Sequence, residues 1–182
     1  LKKVKTYIIN QETVLLTGEY DQYGKLCTRV IEGDQSILVD HPPLKVISKS
    51  INYFGFSLKG AIEGAKTILG KVKMCPIMIC PVQDICMFPH TSPVNHDCIW
   101  FNHSNVLHTQ PMGRYTLVEL SNGRSIKIQA RHTAFNNKKQ KAGDLRRIIH
   151  ERSHTKIVLY LEPKQEYERC KETGRIHFEQ RT

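Results

Sequence analysis

The sequence has no apolar run that approaches the ~20 residues needed to span a bilayer. The longest, residues 75–80, has six and includes Pro76. A membrane-spanning helix is therefore not expected. The opening residues, Leu1-Lys2-Lys3-Val4-Lys5, lack the apolar stretch of a signal peptide, so the expected location is the cytoplasm, with no membrane partner. Internal repeats and low-complexity stretches are also missing, and the composition excludes a disordered tail or a collagen-like repeat. Six cysteines are present but no tight Cys-x2–4-Cys knuckle; Cys75, Cys80, Cys86 and Cys98 are separated by four, five and eleven residues. No Cys2His2 finger, recognition-helix motif or aromatic RNA-binding signature occurs.

What is present is an ordinary globular composition: 182 residues, 40% hydrophobic and 24% charged. At this length a chain removes roughly 70% of its unfolded surface from water, so a core forms without disulfides or metal. One domain over residues 1–161, followed by a charged tail over 162–182, is the expected division. The formal net charge is +10, from 27 Lys and Arg against 17 Asp and Glu. A surplus of this size favours polyanions, nucleic acid first. It is unevenly spread. Residues 1–123 hold 12 basic and 10 acidic side chains, whereas residues 124–152 hold 9 and 2, so seven of the ten surplus charges lie in 29 residues.

Residues 4–10 and 13–19 are rich in Val, Ile, Thr and Tyr and suggest a hairpin. Residues 26–31 and 37–39, around a turn at Glu32-Gly33-Asp34, suggest a second. The period then changes. Leu44, Ile47, Ile51 and Phe54 lie on one helical face behind Pro43, and Gly55 is a natural stop. A further helix over residues 57–69 would use Ser57 as its N-cap, with Gly60 and Gly64 marking close packing or backbone approach. Residues 74–80, 85–88 and 98–103 are extended segments bounded by prolines. Asn122-Gly123 between residues 115–120 and 125–129 is the strongest short hairpin signal in the chain. Beyond Phe135 the pattern is helical, with Ala142, Leu145, Ile148 and Ile149 on one stripe and Lys139, Arg146, Arg147 and His150 opposite. The fold class is α+β: a mainly antiparallel sheet of hairpins, with an inserted helix pair and a later basic amphipathic helix.

The basic stretch supplies the candidate site: Arg124, Lys127 and Arg131 along a strand, then Lys138, Lys139, Lys141, Arg146 and Arg147 on the helix. A strand face and a helix face, both cationic with few counter-charges, suit phosphates. Two other constellations compete with it. His90, His96 and His103, with His108, Asn95 and Asn102, could suggest a metal-dependent nucleic-acid enzyme, but only a lone Asp97 accompanies them. Cys75, Cys80, Cys86 and Cys98 could converge on zinc as an interaction module, or simply be small buried hydrophobes. Gly60 and Gly64 are no phosphate loop, because three residues separate them and Ala65 precedes Lys66. No catalytic residue, metal ligand or cofactor is assigned.

The motifs together resemble the ComK-type competence transcription factors of Gram-positive bacteria. The resemblance rests on Pro76-Ile77-Met78, Phe88-Pro89, Ser92, Cys98-x-Trp100-Phe101-x-His103, Ser121-Asn122-Gly123, Phe135-x-Asn137 and Leu145-Arg146. Upstream, Leu26-Cys27, Ile31-Glu32, Pro43-Leu44 and Phe54-Gly55-x-Ser57-x-x-Gly60 keep the same order, so about residues 26–148 are covered. It implies a transcriptional activator of genetic competence that binds AT-rich promoter boxes in double-stranded DNA, largely through the minor groove, as a homo-oligomer working with RNA polymerase at the nucleoid. It also implies an adaptor for a Clp-type protease, whose recognition segment would correspond to Leu159, Tyr160, Leu161, Pro163 and Lys164. Where the family has an Arg after the glycine this chain has Ala61, and Cys75, Cys80 and Cys86 fall where the family has other residues.

Overall fold

A computed structural model describes residues 2–154 and 167–178. Its centre is a seven-stranded sheet in the order β1-β4-β3-β2-β7-β6-β5. These strands are β1 (Lys2–Val4), β2 (Thr13–Tyr20), β3 (Leu26–Glu32), β4 (Gln35–Val39), β5 (Ile77–Cys80), β6 (Ile85–Pro89) and β7 (Ile99–Asn102). All pair antiparallel except β1 with β4. A second sheet of three strands, β8 (Val106–Met112), β9 (Tyr115–Leu120) and β10 (Ser125–Ile128), follows a short 3-10 turn at His103–Asn105. The helices are α1 (Pro43–Tyr53), α2 (Leu58–Leu69) and α3 (His132–Ser153). In the tail β11 (Tyr167–Arg169) pairs with β12 (Ile176–Phe178).

The large sheet is covered on both faces, so Val14–Leu16 of β2 and strands β5, β6 and β7 carry consecutive buried apolar residues rather than a strict alternation. Leu16, Met87 and Trp100 pack with Val46, Ile47 and Ile51 of α1 on one side. Their neighbours Leu15, Phe88 and Phe101 face the other way and pack with Val118 and Ile128 of the small sheet and Phe135, Ala142 and Leu145 of α3. The period-2 geometry of a strand sends adjacent residues into these two cores.

The α+β expectation holds, and three of the local expectations form as read. Pro43 opens α1 and Gly55 follows its end at φ +87°. Ser57 Oγ accepts the Gly60 N–H at 3.1 Å as the N-cap of α2. The Asn122-Gly123 turn joins β9 to β10, with Gly123 at φ +76°. Two others are corrected. Residues 4–10 do not form a hairpin with β2, because both edges of β2 are occupied, by β3 and β7. The N-terminal chain instead adds β1 in parallel to the outer edge of β4 and then crosses to α1, where the Ile9 N–H donates to Ser50 Oγ at 3.0 Å. Gly60 and Gly64 mark no close approach: a Cβ at Gly64 would meet nothing within 4 Å, and one at Gly60 only Ser57 Oγ. Both line an open apolar groove of about 660 Å³ with Ile68, Met78, Leu145 and Ile149.

Candidate nucleic-acid interface

The small sheet and α3 position the basic residues. Along β10, Ile126 and Ile128 turn inward while Ser125 and Lys127 face solvent, because one face of the sheet is packed on the core. Lys127 Nζ lies 4.4 Å from the centre of the Tyr115 ring on β9, a cation–π contact. The chain then passes Thr116, whose hydroxyl donates to the Ala130 carbonyl at 2.8 Å, and Arg131 leads into α3. His132 at the start of α3 and Asn136 one turn on bond Thr109 of β8, which ties the helix start to the sheet. Arg124, in the turn before β10, is exposed and 3.9 Å from Asp34.

On α3 the expected division of faces changes. Phe135, Lys139, Ala142, Arg146 and Ile149 recur at i, i+4, i+7, i+11 and i+14 and so share the inner line of the helix. Arg146 is therefore not on the outer face. Its guanidinium grips the Asp84 carboxylate in a two-pronged pair and donates to His103 Nδ1, leaving the side chain 21% exposed. Asp84 sits in the turn between β5 and β6 at φ +55°, the one positive φ of a non-glycine among the described residues. Arg146 thus fastens α3 to the large sheet. Lys138 donates to the His90 carbonyl, and Lys139 is half-buried, with burial pulling its ammonium pKa down. Arg147 does face solvent, paired with Glu151 at 2.9 Å and Asp144 at 3.9 Å. Lys141 is exposed. Five of the eight predicted residues, Arg124, Lys127, Arg131, Lys141 and Arg147, are exposed, while Lys138, Lys139 and Arg146 are half-buried against the scaffold.

His103 carries a measurable consequence of this arrangement. Burial, and then the neighbouring Arg146 and Lys139 charges, push its pKa down to about 4; Asp84 and the Lys139 main chain oppose the shift. The ring is neutral in the folded protein, whereas in the unfolded chain it binds a proton near pH 6.5. Stability is therefore lost as pH falls from about 6.5 to 4, by on the order of 2 kcal/mol for the partly exposed ring. Urea midpoints measured across that range will fall more steeply for the wild type than for His103→Asn, which keeps an acceptor for Arg146 but cannot protonate. Equal slopes would show that His103 is not held neutral.

Residues 4–154 match the family described as ComK protein. The chain belongs to the ComK family. It is also similar to the competence transcription factor of Bacillus subtilis (strain 168), 28% identical over 151 residues, which are 82% of this chain and 78% of that protein. No solved structure matches it.

The residues that carry the ComK resemblance are mainly scaffold. Phe88, Phe101, Phe135 and Leu145 build one core and Ile77, Cys98 and Trp100 the other, while Arg146 bonds both Asp84 and His103. None of the exposed basic residues belongs to those motifs, so their assignment rests on this chain's own surface.

Among the described residues, the competing constellations do not assemble. His90 Nδ1 accepts the Ile99 N–H at 2.9 Å, His96 lies against the Tyr20 ring, and His103 faces Arg146, so the three histidines share no centre. Cys75, Cys80, Cys86 and Cys98 are buried apart; desolvation raises the Cys86 thiol to about 12 and the Cys98 thiol to about 11. The one grouping of metal-type ligands is Asp21, Cys27 and Asp40. Lys3 occupies it, 2.9 Å from Asp21 and 3.0 Å from Asp40, and so anchors β1. The adaptor segment expected at Leu159, Tyr160, Leu161, Pro163 and Lys164 lies outside the described residues. No helix among the described residues is long and apolar enough to cross a membrane.

Sequence reasoning passed over Arg114. It lies ten residues before the basic stretch, in the turn between β8 and β9, and is exposed with no ion pair among the described residues. Its signal was Gly113-Arg114 between two strand-like runs, a cation at a hairpin tip.

Proposed function

We propose that the chain is a transcriptional regulator of genetic competence that binds double-stranded DNA. Membership of the ComK family and likeness to the B. subtilis competence transcription factor support the regulatory role. The observation that carries DNA binding is the run of exposed cations Lys127, Arg131 and Lys141, none with a carboxylate partner among the described residues. Arg124 and Arg147 add two charges whose exposed carboxylate partners can be exchanged for phosphate. The finer reading is an activator at AT-rich promoter boxes, approached through the minor groove, whose narrow, negative A-tracts attract Arg and Lys without a major-groove helix. Residues 1–161 form the binding domain and 162–182 an appended tail. Homo-oligomer formation, RNA polymerase and a Clp-protease adaptor complete the reading; no catalytic residue or cofactor does.

A mobility shift on AT-box duplex, with a minor-groove ligand as competitor, tests it. Specific binding displaced by the ligand is expected; equal affinity for random duplex would remove the sequence-specific claim, and indifference to the ligand the minor-groove one. Five phosphate contacts give a slope of log affinity against log salt of about −4.5. Lys127→Ala with Arg131→Ala will flatten it by about 2 if both contact phosphate. Arg146→Ala will instead leave the slope unchanged and lower stability, because its charge is committed to Asp84.

A further inference from the structure

The turn between β8 and β9 is the most exposed feature of the small sheet. Met112 pairs with Tyr115 across a two-residue turn, Gly113-Arg114, with Gly113 at φ +64°. Residues 110–115 are all exposed, and β10 ends opposite Thr116, so the tip projects past the third strand. Gly in the first central position is the pattern of a tight hairpin turn whose twist matches its strands, which makes the tip a preformed element. Pro111 is tolerated because β8 is an edge strand.

The chemistry of the tip is unusual for an idle surface. Met112 is 45% exposed and Tyr115 39%, on one face, with Pro111 on the other and Arg114, which has no ion pair among the described residues, at the apex. The flanking charges are Lys127, over the Tyr115 ring, and Arg131, next to the Ala130 carbonyl that takes the Thr116 hydroxyl. The acidic residue on this sheet face, Glu119, lies back along β9 and accepts from Gln110 at 3.0 Å. The apex is therefore cationic and apolar together, with two further cations set behind it.

A minor groove is about 6 Å wide, too narrow for a helix, and two strands with their side chains exceed it unless the groove opens. A lone guanidinium enters readily, and an apolar side chain beside it can unstack a base step and bend the duplex. We propose that the β8–β9 tip enters the minor groove of the bound duplex. Arg114 lies between the groove walls, Met112 is the apolar edge at a base step, and Lys127 and Arg131 meet the adjacent phosphates. This rests on the reading that the partner is duplex DNA approached through its minor groove, and adds the element and side chains that enter it.

The test uses the full chain with Arg114→Ala and Met112→Ala, both at exposed positions where unchanged thermal unfolding will confirm the fold. Affinity is measured by fluorescence anisotropy on a duplex carrying A-tracts and on a GC-rich duplex at the same salt, and bending by energy transfer between end labels. Arg114→Ala will cost about tenfold on the A-tract duplex and much less on the GC-rich one. Met112→Ala will reduce the bend more than the affinity. Equal losses on both duplexes would make Arg114 an ordinary phosphate contact and overturn the insertion. Unchanged affinity and bend in both variants, with the wild type still binding, would overturn the tip while leaving the duplex reading intact. A wild type with no duplex affinity would remove both.

Discussion

Phe135→Ala will destabilise the protein by about 3–5 kcal/mol, a large part of the ~5–15 kcal/mol that holds a domain of this kind together. The ring is fully buried in the first turns of α3. It stands edge-on to Phe101 at 5.3 Å and tilted against Phe88 at 5.5 Å, so it joins the helix to β7 and β6 of the large sheet. Truncation leaves a cavity walled by two rings that belong to other strands and cannot collapse into it. A lowered urea midpoint at constant m-value is the expected readout, with Phe135→Leu costing far less. A loss below about 1 kcal/mol would mean that α3 is not seated on those rings. Lys141 and Arg147 ride on the same helix, so on the proposed reading DNA affinity should fall with the fraction folded.

Gly18→Ala comes next in size, for a different reason. Gly18 follows the last β2 residue paired with β7, and the loop leading into β7 crosses directly over it. A Cβ at this position would stand 2.1 Å from the His96 carbonyl oxygen, which is main chain and cannot rotate away. The loop is held on both sides: Thr17 Oγ1 donates to the Cys98 carbonyl at 3.2 Å, and the His90 N–H donates to the Ile99 carbonyl at 2.9 Å. Relief must come from lifting the loop off β2, at a cost near the upper end of the ~1–3 kcal/mol typical of overpacking. Thermal unfolding measures the loss, and the Tyr20–His96 ring contact at 5.4 Å is the first that should open. Wild-type stability in Gly18→Ala would show that the loop does not lie where the backbone places it.

The legible parts of the fold are those whose causes lie within a few residues. Pro43 ahead of a 3.6-residue period, Ser57 as a cap, and Asn122-Gly123 between two alternating runs each act through local dihedrals and near-neighbour hydrogen bonds. The first hairpin does not form as expected because strand-like composition says that a segment pairs, not with which edge. Residues 4–10 had the right composition, but β3 and β7 had already taken both sides of β2. Gly60 and Gly64 depart from expectation for a similar reason: a glycine in a helix fits a tight contact and an open groove equally well until the neighbouring element is placed.

The candidate site divides along the same boundary. The +10 charge and its concentration in residues 124–152 were determined by the sequence alone, as were the hairpin and helix that carry it, because charge and local period need no partner. Family membership was visible in the core motifs. Only the tertiary structure decided which cations remain available. Arg146 and Arg147 are neighbours with the same side chain, yet one is held by Asp84, 62 residues earlier in the chain, while the other faces solvent. The same holds for Arg114, which joins Lys127 and Arg131 through strand pairing rather than through proximity in the chain. A guanidinium's free energy depends on the carboxylates and carbonyls within a few ångströms of it, and those are assembled only by the fold.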